Sequence, residues 1–569
     1  MRIENARRLT GRGFFSRGPG AAVELWLAPG EVLEDALAAV RVRLEALLPR
    51  LGLRDERTVI HPHRGGFTVA VSSPIDRALA LADALEWAAL DVAGQALASL
   101  DEAVQAFQDA IQTEADPLLV GWQRRAEQAR VAFLWDDDEV SFGLGRHARV
   151  LPAKPLPDEI DLEHCRGPVP VGLITGTNGK TTTTRMTAAI LKAAGHRVGA
   201  TSTDAITLDG GIVEEGDWTG PGAARKVLRH PEVTAAVLET ARGGILRRGL
   251  GYDQADAALV TNVGADHLGE YGIDTVAEMA AVKAVVWEGV REGGKRLANL
   301  SCPATLDYLR EHRPGAIGGG DWILLSVDGE TPALAEHLAA GGEGWSVRLR
   351  DGVEVLVHHR GADGEDVVGV SAIPATVGGT ARHNVANALA AAALGHALGA
   401  SPVDIVAALS RFGVDPDDNP GRLERYELDG VRVLLDFAHN PHGVHALAPS
   451  VRQLRGNGRL FVALGQAGDR SQEDLDQLAV EVAALGPDRV FLRPMPGYER
   501  GRTYDEMRVM FFAAFERAGV ALDRLAEADG EVDFLERALG LAAPGDLVVV
   551  LVHYQRAEVR AWLAARLSR

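Results

Sequence analysis

Cysteine and lysine are scarce in this chain, and each scarcity excludes something. Only Cys165 and Cys302 occur in 569 residues, in different contexts, so no disulfide framework and no cysteine-based zinc spacing is available. Lysine stands only at positions 154, 180, 192, 226, 283 and 295; the remaining basic residues are arginine, which makes Lys180 and Lys283 informative. Positive charge is short overall. A formal net charge of −20 argues against a general nucleic-acid-binding surface. No apolar run is long enough to span a bilayer, and the start, Met1-Arg-Ile-Glu-Asn-Ala-Arg-Arg8, lacks the apolar centre of a signal peptide. A cytoplasmic enzyme with neither nucleic-acid nor membrane partners is the expectation. Hydrophobic content of 46% and charged content of 24% are those of an ordinary globular protein, and the length allows several domains with ample core.

What is present divides into three parts. Residues 1–165 read as an N-terminal α+β domain: strands at Val23–Leu27 and Gly66–Ser72, helix over Val32–Leu51, one long helix over Arg77–Ile111, and a hairpin across Asp136-Asp137-Asp138. The proline-rich run Leu151–Pro157 reads as a linker. Residues 166–418 alternate strand and helix, which predicts a mostly parallel α/β sheet, with a small β insert between Ile323 and Ile373 and a helix from His383 through Leu398. Residues 419–569 form a further α/β domain with strands at Val431–Asp436, Leu460–Leu464, Arg489–Leu492 and Leu547–His553.

The chemistry concentrates at Gly176-Thr177-Asn178-Gly179-Lys180-Thr181-Thr182-Thr183-Thr184, which follows an apolar strand and opens a helix. That order places backbone N–H groups and a helix N-terminus against an anion. Lys180 can reach β/γ-phosphates and the Thr181 hydroxyl can ligate Mg²⁺. The strict phosphate-loop spacing requires glycine at 174, where the chain has Ile174; the form here is the shorter Gly-x-x-Gly-Lys-Thr. Glu239 ends an apolar strand, at the edge of a parallel sheet that faces ligand, and could hold Mg²⁺ opposite Thr181. Asn262 and His267 follow another strand end, and His267 could ligate a second metal or contact phosphate. His383, Asn384 and Asn387 open a helix, where their amides could read an adenine edge or simply cap. Arg422 offers a cation for phosphate, Asp436 a carboxylate for ribose hydroxyls, and Gly465-Gln-Ala-Gly-Asp469-Arg470 a further glycine-rich strand end.

Taken together and in this order, these segments resemble the Mur ligase superfamily, and within it the Mur-like half of the cyanophycin synthetase family. The segments that carry the closer resemblance are Thr203-Asp204 with Asp209-Gly210, Gly216-Asp-Trp-Thr-Gly-Pro221, Glu239-Thr-Ala-Arg-Gly-Gly-Ile-Leu-Arg247, Asp266-His-Leu-Gly269 and Gly468-Asp-Arg470. Residues 1–165 resemble that family's first domain through Arg7-Arg-Leu-Thr-Gly11 and His61-Pro-His-Arg-Gly-Gly-Phe67. The ATP-grasp domain that the family carries between these two parts has no counterpart here.

The resemblance implies ATP-dependent amide-bond formation through an acyl phosphate, with ATP and Mg²⁺. Lys180 would act at the triphosphate, and Thr181 and Glu239 at the metal. His267 and Lys283 would lie at a second metal position, where many Mur ligases carry a carbamylated lysine. His383, Asn384 and Asn387 would line the adenine, while Arg422 and Asp436 would reach phosphate and ribose. The N-terminal domain would hold the polyamide. Expected partners are an amino acid, a peptide or polyamide acceptor, a separate ATP-grasp ligase, and further copies of the chain in a homo-oligomer. A cell-wall or folate-type Mur ligase and a non-catalytic ATP-binding polymer scaffold are the rival readings.

Overall fold

The computed structural model describes residues 1–53 and 56–567. The chain forms two compact units: Met1–Leu349 with Val355–Val367 and Asn387–Ala408, and Arg350–Glu354 with Val368–Ala386 and Leu409–Arg569. Among the described residues no helix is long and apolar enough to cross a membrane.

The first unit is organised around an eleven-stranded sheet in the order Gly211–Glu215, Ala205–Leu208, Val198–Thr201, Ala235–Glu239, Val171–Thr175, Ala255–Val260, Val290–Asn299, Trp322–Ser326, Glu343–Arg350, Val353–Arg360, Asp363–Gly369. Strands from Val198–Thr201 to Glu343–Arg350 are parallel. The central strands Val171–Thr175 and Ala235–Glu239 are apolar runs buried at every position, as expected where helices cover both faces of a sheet. The strands after Ile323 are no separate insert: Trp322 pairs with Arg296 and Ile323 with Glu343, so they extend the main sheet. Alternation at the sheet margin looks like an independent β unit only when the sequence is read locally.

A four-stranded antiparallel sheet, Arg2–Leu9, Gly20–Trp26, Gly66–Ser72, Thr58–His63, belongs to the same unit. The expected single helix over 77–111 is two, Ala78–Val92 and Leu100–Glu114. Gly94 sits at φ 69° and ends the first, and a Ser99/Glu102 capping box starts the second. The hairpin across Asp136–Asp138 gains a third strand, Arg149–Pro152. The expected linker is therefore partly strand. It is also packed, with Leu156 buried and the Trp122 indole N–H donating to the Pro157 carbonyl at 2.9 Å.

The N-terminal sheet and the main sheet share one core, in which Leu9, Phe15, Leu134 and Leu144 pack with Val169, Leu173, Leu246, Leu250 and Ile273. Backbone bonds fasten the contact: Thr10 and Gly11 N–H donate to the Arg248 carbonyl at 2.8 and 3.2 Å, and Leu250 N–H to the Arg12 carbonyl at 2.6 Å. A Cβ at Gly11 would lie 2.3 Å from the Leu250 carbonyl oxygen, so the Thr10-Gly11 motif is a site of close backbone approach.

The second unit has a six-stranded sheet in the order Arg422–Leu428, Val431–Asp436, Leu547–Leu551, Leu460–Leu464, Arg489–Leu492, Leu525–Glu527. Its first pair is antiparallel and the rest parallel. Apolar clusters cover its two faces.

The Gly11 contact yields a test. Gly11→Val should cost about 1–3 kcal/mol, the usual range for forcing atoms into a packed contact, seen as a lower denaturation midpoint. Wild-type stability in that variant would mean that the N-terminal segment is not fastened at Leu250.

Candidate phosphate-loop site

Strand Val171–Thr175 ends at Gly176, and helix Lys180–Ala193 begins after Gly179, whose φ is 83°. Both glycines are required by what lies beneath them. A Cβ at Gly176 would fall 1.9 Å from Thr261 Oγ1, and one at Gly179 2.2 Å from Asn387 Oδ1. Side chains just past the strand Ala255–Val260 hold the loop. Asn178 N–H donates to Asn262 Oδ1 at 2.9 Å, while Asn262 Nδ2 and Thr261 Oγ1 donate to the Asn178 carbonyl at 2.9 and 2.8 Å. Thr177 N–H donates to the Asn262 carbonyl at 2.9 Å, and Thr177 Oγ1 accepts from Gly264 N–H at 2.9 Å.

Lys180 folds back over the loop, its Nζ donating to the Gly176 and Thr177 carbonyls at 3.1 Å each. Thr181 Oγ1 donates to Glu239 Oε2 at 2.8 Å and lies 3.2 Å from Thr203 Oγ1. Glu239 is 2% exposed. This set is oxygen only, a carboxylate between hydroxyls, and such hard donors suit Mg²⁺. Thr182, one residue on, is buried in the first turn of the helix.

Lys283, on helix Val276–Glu288, is 4% exposed. Burial drives its amine well below the usual lysine value; the nearby charges of Lys180 and Arg242 push the same way and Asp266 opposes them. Among the described residues no carboxylate forms an ion pair with it. His267, with φ 53°, is 43% exposed, and its Nδ1 lies 2.9 Å from Glu270 Oε1. Glu270 also pairs with Arg242, and its carboxyl is held down to about 2, chiefly by the His267 hydrogen bond.

The remaining candidates divide between the units. Asn387 belongs with the loop: it lies beneath Gly179 and its Oδ1 accepts from Thr183 Oγ1 at 3.3 Å. The other four belong to the second unit. There His383 Nδ1 lies 3.1 Å from the Ala446 carbonyl; burial keeps its imidazole below the usual histidine value, with Asp436 opposing and His442 adding to the effect. Asn384 Nδ2 donates to the Ala375 carbonyl at 2.8 Å. Asp436 accepts backbone N–H groups from Leu423 and Ala438 at 2.8 Å each, so both its oxygens hold main chain. Arg422 lies over the Phe437 ring at 5.0 Å. The glycine-rich strand end at 465–470 is a close approach of chain to chain, since a Cβ at Gly468 would meet the Glu499 carbonyl oxygen at 1.8 Å.

Sequence reasoning missed two supports. One is the Arg242–Glu270–His267 chain, which orders the loop after the strand Ala255–Val260. The other is the grip of the N-terminal sheet on that loop. Arg64 N–H donates to Asp274 Oδ2 at 2.6 Å, and His61 Nε2 lies 3.2 Å from the Gly272 carbonyl. A Cβ at Gly272 would meet His63 Cδ2 at 2.5 Å. Only the grouping His61-Pro-His-Arg64 hinted at this in the sequence.

Known proteins resemble this chain in sequence and in fold. Residues 174–318 match the Mur ligase middle domain, and residues 421–551 the glutamate ligase domain of Mur ligases. The chain is 34% identical to cyanophycin synthetase from Synechocystis sp. over 427 residues, covering 72% of this chain and 46% of that protein. It is 35% identical to cyanophycin synthetase from Crocosphaera subtropica, covering 72% of this chain and 45% of that protein. The chain thus spans about half the length of the curated relatives it matches. The structure of E. coli FolC in complex with DHPP and ADP aligns with a TM-score of 0.50 at 20% identity, over 70% of this chain and 89% of that one, a likeness of fold.

Lys283 gives a test of stability and function together. Its folded-state affinity for a proton is depressed, so the unfolded chain binds more protons between that depressed value and about 10.4, and stability rises with pH through that window. Lys283→Met should therefore raise the denaturation midpoint near neutral pH, with the gain shrinking as pH approaches that upper bound. Chemical denaturation across pH checks this; a less stable variant at neutral pH would show that the amine is held by favourable contacts instead.

Proposed function

Because this chain carries the middle and glutamate ligase domains of the Mur ligases, and so belongs to that superfamily, we propose that it is an ATP-dependent ligase. It joins a carboxylate of a peptide or polyamide acceptor to the amine of an amino acid. The observation that carries the reading is the glycine-framed loop with Lys180 above it and Thr181 bonded to the buried Glu239.

In this proposal the acceptor carboxylate attacks the γ-phosphorus of ATP, giving an acyl phosphate and ADP. The amine then attacks the acyl carbon, the C–N bond forms, phosphate leaves with the C–O bond, and the amine proton is lost to solvent. Lys180 exchanges its loop carbonyls for phosphate oxygens and stabilises charge on the group in transfer. Thr181 and Glu239 would hold Mg²⁺, which supplies charge neutralisation at the phosphates when bound. His267, oriented by Glu270, and Lys283 are proposed at a second metal position, with Arg242 adding positive charge beside them. Asn387 shapes the loop; within the second unit His383 and Asn384 are proposed for base recognition, Arg422 for phosphate and Asp436 for ribose. The segments shared with cyanophycin synthetases support a polyamide acceptor over a cell-wall or folate substrate.

Phosphate release that requires both an acceptor and an amino acid, screened across amino acids with mass spectrometry of the products, tests the reading. ATP hydrolysis indifferent to both would reject it. In the same assay Lys180→Ala should lose about 10²-fold or more in rate with an unchanged fold by circular dichroism. Retained activity would remove the loop from the mechanism.

One such site forms one amide per ATP, with one amine pocket whose shape discriminates by only about 1–3 kcal/mol per methylene. The purified chain should therefore extend a primer with one kind of residue, and an alternating polymer should require a second ligase activity such as an ATP-grasp enzyme. Products that alternate two residue types with no other protein present would overturn this.

A further inference from the structure

Away from the phosphate loop, the first unit gathers a second set of ligating side chains. Glu343 opens the strand Glu343–Arg350, His358 lies on the neighbouring strand Val353–Arg360, and His396 is near the end of helix Arg382–Ala397. One ligand atom from each falls within 4.8 Å of the others. Glu343 Oε1 is 3.1 Å from His358 Nε2 and 3.7 Å from His396 Nε2. A tetrahedral ion with bonds of about 2.0–2.1 Å keeps its ligand atoms about 3.3–3.4 Å apart, and the two measured separations bracket that value. We propose that Glu343, His358 and His396 form a transition-metal site with one open position, with zinc as the ion best suited to two imidazoles and one carboxylate.

The surroundings are those of a prepared site. The His358 ring stacks on Trp345 with centroids 4.7 Å apart and planes at 18°, which fixes its orientation. The two imidazole centroids lie 4.5 Å apart with their planes tilted at 58°. Lys295 Nζ sits 3.5 Å from Glu343 Oε2 and donates to the Gly320 carbonyl at 2.8 Å. That leaves Oε1 as the oxygen turned to the imidazoles, as outer partners do for metal-binding carboxylates. The Glu343 carboxyl is held below its usual range despite burial, by His358 and then Lys295. His337 is not a fourth ligand, because Nδ1 accepts from Gly318 N–H at 2.9 Å and Nε2 lies 3.0 Å from the Glu343 carbonyl. Water completes the coordination, reaching it past Glu343 and His396, whose side chains are 21% and 19% exposed against 4% for His358.

The site would pin two strands of the sheet margin to the helix that carries Asn387 beneath the phosphate loop. It is tested with the full chain stripped by chelator and titrated with Co²⁺ alone. The expected result is one equivalent bound with the intense visible absorption of tetrahedral cobalt, displaced by Zn²⁺, and a higher melting temperature in the loaded protein. His396→Ala and Glu343→Gln should lose that absorption at least tenfold in affinity, and Thr181→Val should keep it. Glu343→Gln preserves shape and a hydrogen bond to His358, so it decides the matter should a histidine variant fail to fold. Weak octahedral binding only, or a tetrahedral spectrum unchanged in Glu343→Gln, would overturn the proposal.

Discussion

The phosphate loop holds its shape because main chain touches side chain at two points where no Cβ fits. Gly176 rests on Thr261 and Gly179 on Asn387, so the loop is pressed between the end of one strand and the flank of a helix. Three segments distant in sequence, 176–181, 261–264 and 387, must therefore arrive together before the loop has its form. That geometry orients the first turn of helix Lys180–Ala193 and puts Thr181 against Glu239. Anion binding by a helix N-terminus depends on fixed N–H directions. Here those directions are set by packing below the loop, with Lys180 drawn across its own carbonyls in the meantime.

The same logic extends outward to the N-terminal segment. Its sheet contributes to one core with the main sheet, and its His61–Arg64 stretch grips the loop 272–274, next to the Glu270 that orients His267. The acceptor-holding role expected of residues 1–165 would thus sit beside a structural one. Removing residues 1–165 would strip Leu9, Phe15, Leu134 and Leu144 from that core, so the loss of a truncated protein's activity could not be assigned to acceptor affinity alone. Single substitutions on the exposed side of the N-terminal sheet separate the two roles more cleanly.

Much of this was legible in the sequence, and the reasons differ by element. Buried parallel strands such as Val171–Thr175, Ala235–Glu239 and Leu460–Leu464 are short apolar runs bounded by glycine or acid, so their periodicity and their ends agree. The loop was legible because its glycines, lysine and threonine obey one steric and electrostatic demand. The strands after Ile323 were misread as an insert because sheet membership depends on pairing partners far away in sequence, which local alternation does not encode. The helix break at Gly94–Ser99 was overlooked because an alanine- and leucine-rich background outweighed one glycine and one capping box. The Arg242–Glu270–His267 chain and the docking of His61–Arg64 are long-range contacts between polar residues, and no periodic signal marks them. Asn387 illustrates the same limit. Its place beneath Gly179, as the floor of the loop, is a packing role that its amide did not signal.

The scarcity of lysine acquires a physical meaning at this site. Of the six lysines, two, Lys180 and Lys283, lie near enough for the charge on one to disfavour the charge on the other, and Arg242 adds to the repulsion while Asp266 only partly offsets it. Positive charge is thereby concentrated in a buried place, in a chain whose net charge is strongly negative. Such an arrangement costs stability in the empty site, because burial and like charge both penalise the ammonium form. A polyanion placed over Gly176–Thr181 would relieve that cost at Lys283, by offsetting the like charges that disfavour its ammonium form. A neutral residue at position 283 would therefore gain stability in the empty site while giving up that coupling to an anion at the loop.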